Sequence, residues 1–244
     1  MKKMKEPVNN EKYRCFGQKY PFRMFVGILV FFLLMLVNCF EYFSDAEEKD
    51  AEVIIVVDAG HGGNDPGKVS PDGKKEKDIN LDISLKLKDE LEKRGARVIL
   101  TRDCDKCLAD DDAVNKKKSD MINRMEAVNN SKAALLISIH QNSFADTKVK
   151  GAQVFYYGSS GESRRIAESI QRVIKKEVDA DNNRVAKPDN NYYILRKSAC
   201  PAVIVECGFL SNPEEAGKLT DEEYQQRIAS AVAEAVMDNI NKKR

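Results

Sequence analysis

Two histidines occur among the 244 residues, and each ends an apolar run. His61 closes Val53-Ile54-Ile55-Val56-Val57-Asp58-Ala59-Gly60, and His140 closes Leu135-Leu136-Ile137-Ser138-Ile139. Continuous apolar runs of this length suit strands covered on both faces. Parallel strands bring their carboxyl ends to one edge, where open α/β sheets hold their sites. Two imidazoles at that edge offer two ligands to a metal ion, and zinc is the first ion to test. A hydrolytic zinc site takes three protein ligands and keeps one position for water. Glu76 is the best third ligand, since it lies in the loop that starts from His61. By position alone it is also one more charge in Lys74-Lys75-Glu76-Lys77-Asp78. Glu206 follows Ala202-Val203-Ile204-Val205, and a carboxylate ending a buried strand needs a partner. That partner is either an arginine, such as Arg102 or Arg124, or the reaction itself. In the second case Glu206 is a general base that takes a proton from water and passes it to a leaving amine. The metal candidates nearby favour the second reading. The glycine-dense turn at 60–63 has neither of the common nucleotide-binding spacings.

These residues need a particular set of elements to hold them. Val53–Val57 reads as a strand, followed by a loop over Gly60–Gly73. Asp78 can cap a helix to Arg94, in which Ile79, Ile83, Leu87 and Leu91 recur every four residues. Arg97–Thr101 is a strand, and Cys104–Lys118 a polar loop. Met121, Ile122, Met125 and Val128 mark a second helix, and Ala134–Ile139 is the strand carrying His140. Ala152–Tyr157 is a further strand, and Ile166, Ile170, Val173, Ile174 and Val178 line a third helix. Asp179–Asn191 is loop-like, and Tyr192–Leu195 and Ala202–Val205 read as short strands. Thr220 and Glu223 form a capping box for a last helix. Strands and helices interleave from residue 53 onward. The fold class is therefore α/β: a single domain with a largely parallel twisted sheet flanked by helices, preceded by an amino-terminal membrane segment.

That segment is the apolar stretch Met24–Phe40, interrupted by Asn38, and it is close to the minimum for a membrane span. Seven basic residues from Lys2 to Arg23 precede it, while Glu41, Asp45, Glu47 and Glu48 follow. The positive-inside rule keeps residues 1–23 in the cytoplasm and exports the domain at 53–244 through a linker at 41–52. An uncleaved anchor is favoured over a cleaved signal peptide, since no small-x-small site follows the run. A formal net charge of +1 gives no global drive toward nucleic acid. Cys104-x-x-Cys107, Cys200 and Cys207 suit unpaired thiols or one local disulfide better than a four-thiolate metal site.

Taken together, the motifs Val57-Asp58-Ala59-Gly60-His61-Gly62-Gly63, Glu76-Lys77-Asp78, Thr101-Arg102, Ser138-Ile139-His140-Gln141-Asn142 and Glu206-Cys207-Gly208-Phe209-Leu210-Ser211-Asn212 resemble one family. It is that of the zinc-dependent N-acetylmuramoyl-L-alanine amidases, amidase type 3, over nearly all of residues 53–240. The resemblance implies one zinc ion on His61, Glu76 and His140, with Glu206 catalytic. It implies hydrolysis of the amide between N-acetylmuramic acid and the L-alanine of the stem peptide, so the substrate is the peptidoglycan glycan strand with its peptide. Asn142 and Arg124 match recurrent positions and are candidates for substrate binding. The chain looks most like single-domain, membrane-anchored members of spore-formers that act on cortex peptidoglycan. No wall-binding repeats flank the domain, and the stretch from Asn142 to Gly151 is too short for a blocking helix. A protein partner that localises or activates the enzyme is the expected control. Cys207 departs from the family, which commonly has an apolar residue after the glutamate.

Two other functions stay open at this level. A zinc carboxypeptidase would need an arginine for a terminal carboxylate, with Arg196 the candidate. A non-catalytic wall-binding module would lack a ligand, and none of the ligand positions is missing.

Overall fold

The computed structural model describes residues 26, 27, 29–36 and 52–242. Residues 26–27 and 29–36 are helical. Among the described residues, no helix is long and apolar enough to cross a membrane. The leader 1–23, most of the linker 41–52 and the ends of the Met24–Phe40 stretch lie outside the described residues.

Residues 52–242 are built on six strands: β1 (Val53–Ala59), β2 (Ala96–Leu100), β3 (Leu135–Asn142), β4 (Gln153–Tyr156), β5 (Lys187–Pro188) and β6 (Ala202–Phe209). Their order is β2-β1-β3-β6-β4-β5. All neighbours run parallel except β4 and β6. The helices are α1 (Glu76–Glu92), α2 (Lys116–Asn130), α3 (Gly161–Glu177), α4 (Tyr193–Lys197), α5 (Pro213–Lys218) and α6 (Glu222–Asn241). Because side chains alternate along a strand, β1 feeds two cores. Ile55 and Val57 pack with Ile79, Ile83, Leu87 and Leu91 of α1 and with the apolar stripes of α3 and α6. Val56 packs on the other face with Met125 and Val128 of α2 and Ile194 and Leu195 of α4. The α/β layering and mostly parallel sheet follow the strand–helix alternation of the sequence.

Four local expectations need correction. Helix α1 begins at Glu76, two residues before Asp78, and its cap residue Lys75 has no side-chain capping bond. Asp78 sits in the first turn, where its charge meets the positive end of the helix. Helix α6 is capped by Asp221, whose carboxylate accepts from Tyr224 N; the Thr220 hydroxyl instead donates to carbonyls of α5. Tyr192–Leu195 is not a strand. The Asp189 carboxylate accepts from Asn191 N and Tyr192 N, which turns the chain, and α4 starts at Tyr193. Finally, β6 runs past Val205 to Phe209, so Glu206 lies within the strand.

Candidate active site

The centre starts where β1 ends. Two arginines turn its last carbonyls inward. Arg102 donates to the oxygens of Ala59, Gly60 and Lys77, and Arg124 to those of Ala59 and His61. The turn forces His61 into the left-handed region, φ 62°, which is uncommon for a residue with a Cβ. Gly60 is required because a Cβ there would lie 2.2 Å from Cε1 of His140. Likewise a Cβ on Gly67, φ +68°, would lie 2.5 Å from Oε2 of Glu76.

His61, Glu76 and His140 converge, with one ligand atom from each within 4.8 Å of the others. Oε1 of Glu76 is 3.2 Å from Nε2 of His61 and 2.9 Å from Nδ1 of His140. Its Oε2 accepts from Lys68 N at 2.8 Å, and Gln141 N also reaches Oε1. Burial pushes this carboxyl up, but the hydrogen bonds and charges of the two imidazoles outweigh it and hold it well below the usual carboxylate range. On its far side, Nδ1 of His61 is 2.8 Å from the Asp65 carboxylate. A carboxylate behind an imidazole fixes the ring and strengthens its other nitrogen as a ligand. Two nitrogens and one carboxylate oxygen, with such a carboxylate behind one ring, are a fitting donor set for a hydrolytic zinc ion.

Glu206 is the register partner of His140 across β3 and β6, so the two side chains leave the same face. It is 6% exposed, and neither Arg102 nor Arg124 is paired with it. Its Oε2 is buried without a hydrogen-bond partner, and Oε1 is 3.5 Å from the Tyr192 hydroxyl. Burial raises its carboxyl to about 7, against the opposing charge of His140. The buried carboxylate that the sequence left between an ion pair and a chemical role thus has no cation bonded to it.

A cleft of about 300 Å³ opens over these groups, and Lys68, Lys117, Met121, Tyr192 and Tyr193 are among the residues that line it. Asn142 lines it as well, with Oδ1 accepting from Ser143 N at 2.8 Å. Arg124 is also among the lining residues, yet its guanidinium bonds to Asp58, Ala59, His61 and Asp120. Arg196 is exposed on α4 and is not among the cleft residues.

The sequence did not point to Asp58, Asp65 or Tyr192. Asp58 is buried beneath the turn, accepting from Arg124, Thr101 and Ser138. Burial raises it, but the Arg124 charge and those two hydroxyls bring the carboxyl down to about 2. Its only sequence signal was a charge inside an apolar run. Asp65 lies four residues after His61, a spacing that means nothing until the turn is known. Cys207 is fully buried in the main core, the environment of the apolar residue it replaces. Cys104, Cys107, Cys200 and Cys207 are free thiols, one of the two arrangements the spacing left open.

The profile of the N-acetylmuramoyl-L-alanine amidase family matches residues 55–238. The chain is 37% identical over 188 residues to the germination-specific N-acetylmuramoyl-L-alanine amidase of Bacillus subtilis (strain 168), covering 75% of this chain and 78% of that protein. Among solved structures it is similar to the CwlD amidase from Clostridioides difficile in complex with the GerS lipoprotein. That likeness has TM-score 0.76 and 41% identity over 78% of this chain and 100% of the other. AmiC2 of Nostoc punctiforme, also an N-acetylmuramoyl-L-alanine amidase, has TM-score 0.67 and 32% identity over 78% of this chain and 97% of its own. The chain belongs to the N-acetylmuramoyl-L-alanine amidase family, and its reaction is amide hydrolysis in peptidoglycan.

Proposed function

We propose that the domain at 53–244 is a zinc amidase that removes stem peptides from spore-cortex peptidoglycan, with His61, Glu76 and His140 as the ligands and Glu206 as the general base. The observation that carries it is the meeting of those three ligand atoms beside one buried carboxylate that has no cation bonded to it. A zinc ion held there supplies a Lewis acid for the amide carbonyl and makes water a better nucleophile near neutral pH. Glu206 takes the proton from the attacking water and returns it to the departing L-alanine nitrogen. A carboxyl that burial raises above its ordinary value is suited to taking the proton and giving it back. Asn142, a cleft residue, bonds the substrate through its amide in this reading. Arg124 serves the turn that aims His61.

The germination-specific relative supports the cortex role. In this reading the domain is exported and held at the membrane by residues 24–40. A lipoprotein partner, by analogy with the CwlD complex, localises or activates it.

Digestion of purified cortex peptidoglycan tests the reaction. The expected products are intact stem peptides with new L-alanine amino termini and glycan bearing free lactyl carboxylates. Release of single amino acids would point to a carboxypeptidase instead. Chelator should abolish product release, and stoichiometric zinc should restore it.

A further inference from the structure

We infer that Tyr192 is a positioning residue for Glu206: its hydroxyl is the hydrogen-bond donor that orients the general base. Among the described residues no other donor is bonded to the Glu206 carboxylate. The contact leaves Oε2 buried and without a protein partner, so Tyr192 is the one group that sets how the carboxylate is turned. At 3.5 Å the bond is long, as catalytic hydrogen bonds commonly are before substrate is bound.

Tyr192 is held on several sides. Its backbone N donates to Asp189, which also accepts from Asn191 N. Asp189 N in turn donates to the Tyr156 oxygen at 2.9 Å, tying the turn to β4. The ring meets Phe155 of β4, centroids 5.7 Å apart at 58°. Two and three residues on, the buried Ile194 and Leu195 anchor α4 in the second core. The phenol is therefore placed by the sheet rather than by a free loop. That is what orienting another side chain requires. The half-buried ring also lines the cleft, so a direct contact with substrate is the rival role.

The inference rests on the role proposed for Glu206. Tyr192→Phe removes the hydroxyl and keeps the ring against Phe155, so it tests the bond without removing the packing. The expected result is a fall in kcat of about ten- to a hundred-fold, the scale of a hydrogen bond to a charged group. KM should stay within about twofold and bound zinc should be unchanged, since a positioning group acts on turnover rather than binding. Unchanged kcat overturns the inference. A raised KM at constant kcat also overturns it, making Tyr192 a substrate contact, and so does loss of zinc. Glu206→Gln, measured alongside, separates the two claims. An active Glu206→Gln enzyme removes the general base itself, whereas an inactive one beside a fully active Tyr192→Phe removes only the Tyr192 assignment.

Discussion

Glu206→Gln is expected to keep a full complement of zinc and to release stem peptides about a thousandfold more slowly than the wild-type enzyme, the middle of the range for losing a general acid–base group. Glutamine has the same shape, so the position between β3 and β4 stays filled. What disappears is the ability to accept a proton. His61, Glu76 and His140 do not depend on Glu206 for a hydrogen bond, so the ion should remain. Metal analysis and muropeptide mass spectrometry on the same preparation check both halves. Full turnover removes Glu206 from the mechanism. Loss of zinc together with turnover makes it part of the metal site instead. The stability of this variant should equal or exceed that of the wild type, because a buried carboxylate without a bonded cation has become a neutral amide.

Arg124→Ala is expected to lower the melting temperature by about 6–20 °C. The estimate starts from breaking a buried ion pair, about 3–5 kcal/mol, and from about 2–4 °C per kcal/mol in a domain of this size. The Arg124 and Asp58 side chains are each 2% exposed and bonded at 2.8 Å. Truncation leaves Asp58 charged and buried with only two hydroxyls, and frees the carbonyls of Ala59 and His61. Activity should fall along with stability, since His61 loses the group that holds its turn. If Arg124 instead binds substrate, KM rises while the melting temperature stays put. Thermal scanning and initial rates together decide.

The same pair sets a pH dependence. Asp58 is held at about 2, below its ordinary value, so the unfolded chain binds this proton first as pH falls. The stability it contributes, about 2 kcal/mol, is complete above about pH 4 and is lost as pH drops toward 2. Arg124→Ala should weaken this acid limb, because without the guanidinium the hydroxyls of Thr101 and Ser138 are left to oppose the effect of burial on the Asp58 carboxyl.

The legible parts of this molecule were those in which one strand both makes the core and ends in chemistry. His61, His140 and Glu206 each stood out against apolar neighbours, and that contrast survives without coordinates. Glu76 did not stand out, because four charged neighbours share its segment. Only the approach of α1 to β1 and β3 separates it from Lys75 and Lys77. Asp65 and Tyr192 were not legible as site residues. Their roles depend on a left-handed His61 and on the Asp189 turn, which are backbone choices that local composition underdetermines. The aromatic and branched character of Tyr192–Leu195 favoured a strand, but two adjacent buried residues, Ile194 and Leu195, fit one face of a short helix against β6. Strand β5 escaped notice because two exposed residues carry no pattern.

Pairing of His140 with Glu206 across β3 and β6 means that the ladder itself serves as the ruler between these two side chains. Adjacent strands in any sheet lie about 4.8 Å apart, a spacing fixed by the peptide group and indifferent to surface loops. Distant homologues can therefore exchange nearly all of their outer chain and still hold the same separation. The arrangement is also all-or-none. A one-residue slip of β6 would carry Glu206 to the opposite face, so under the proposed mechanism a misregistered molecule has no base beside the ligands. Specific activity in any preparation then counts correctly paired molecules.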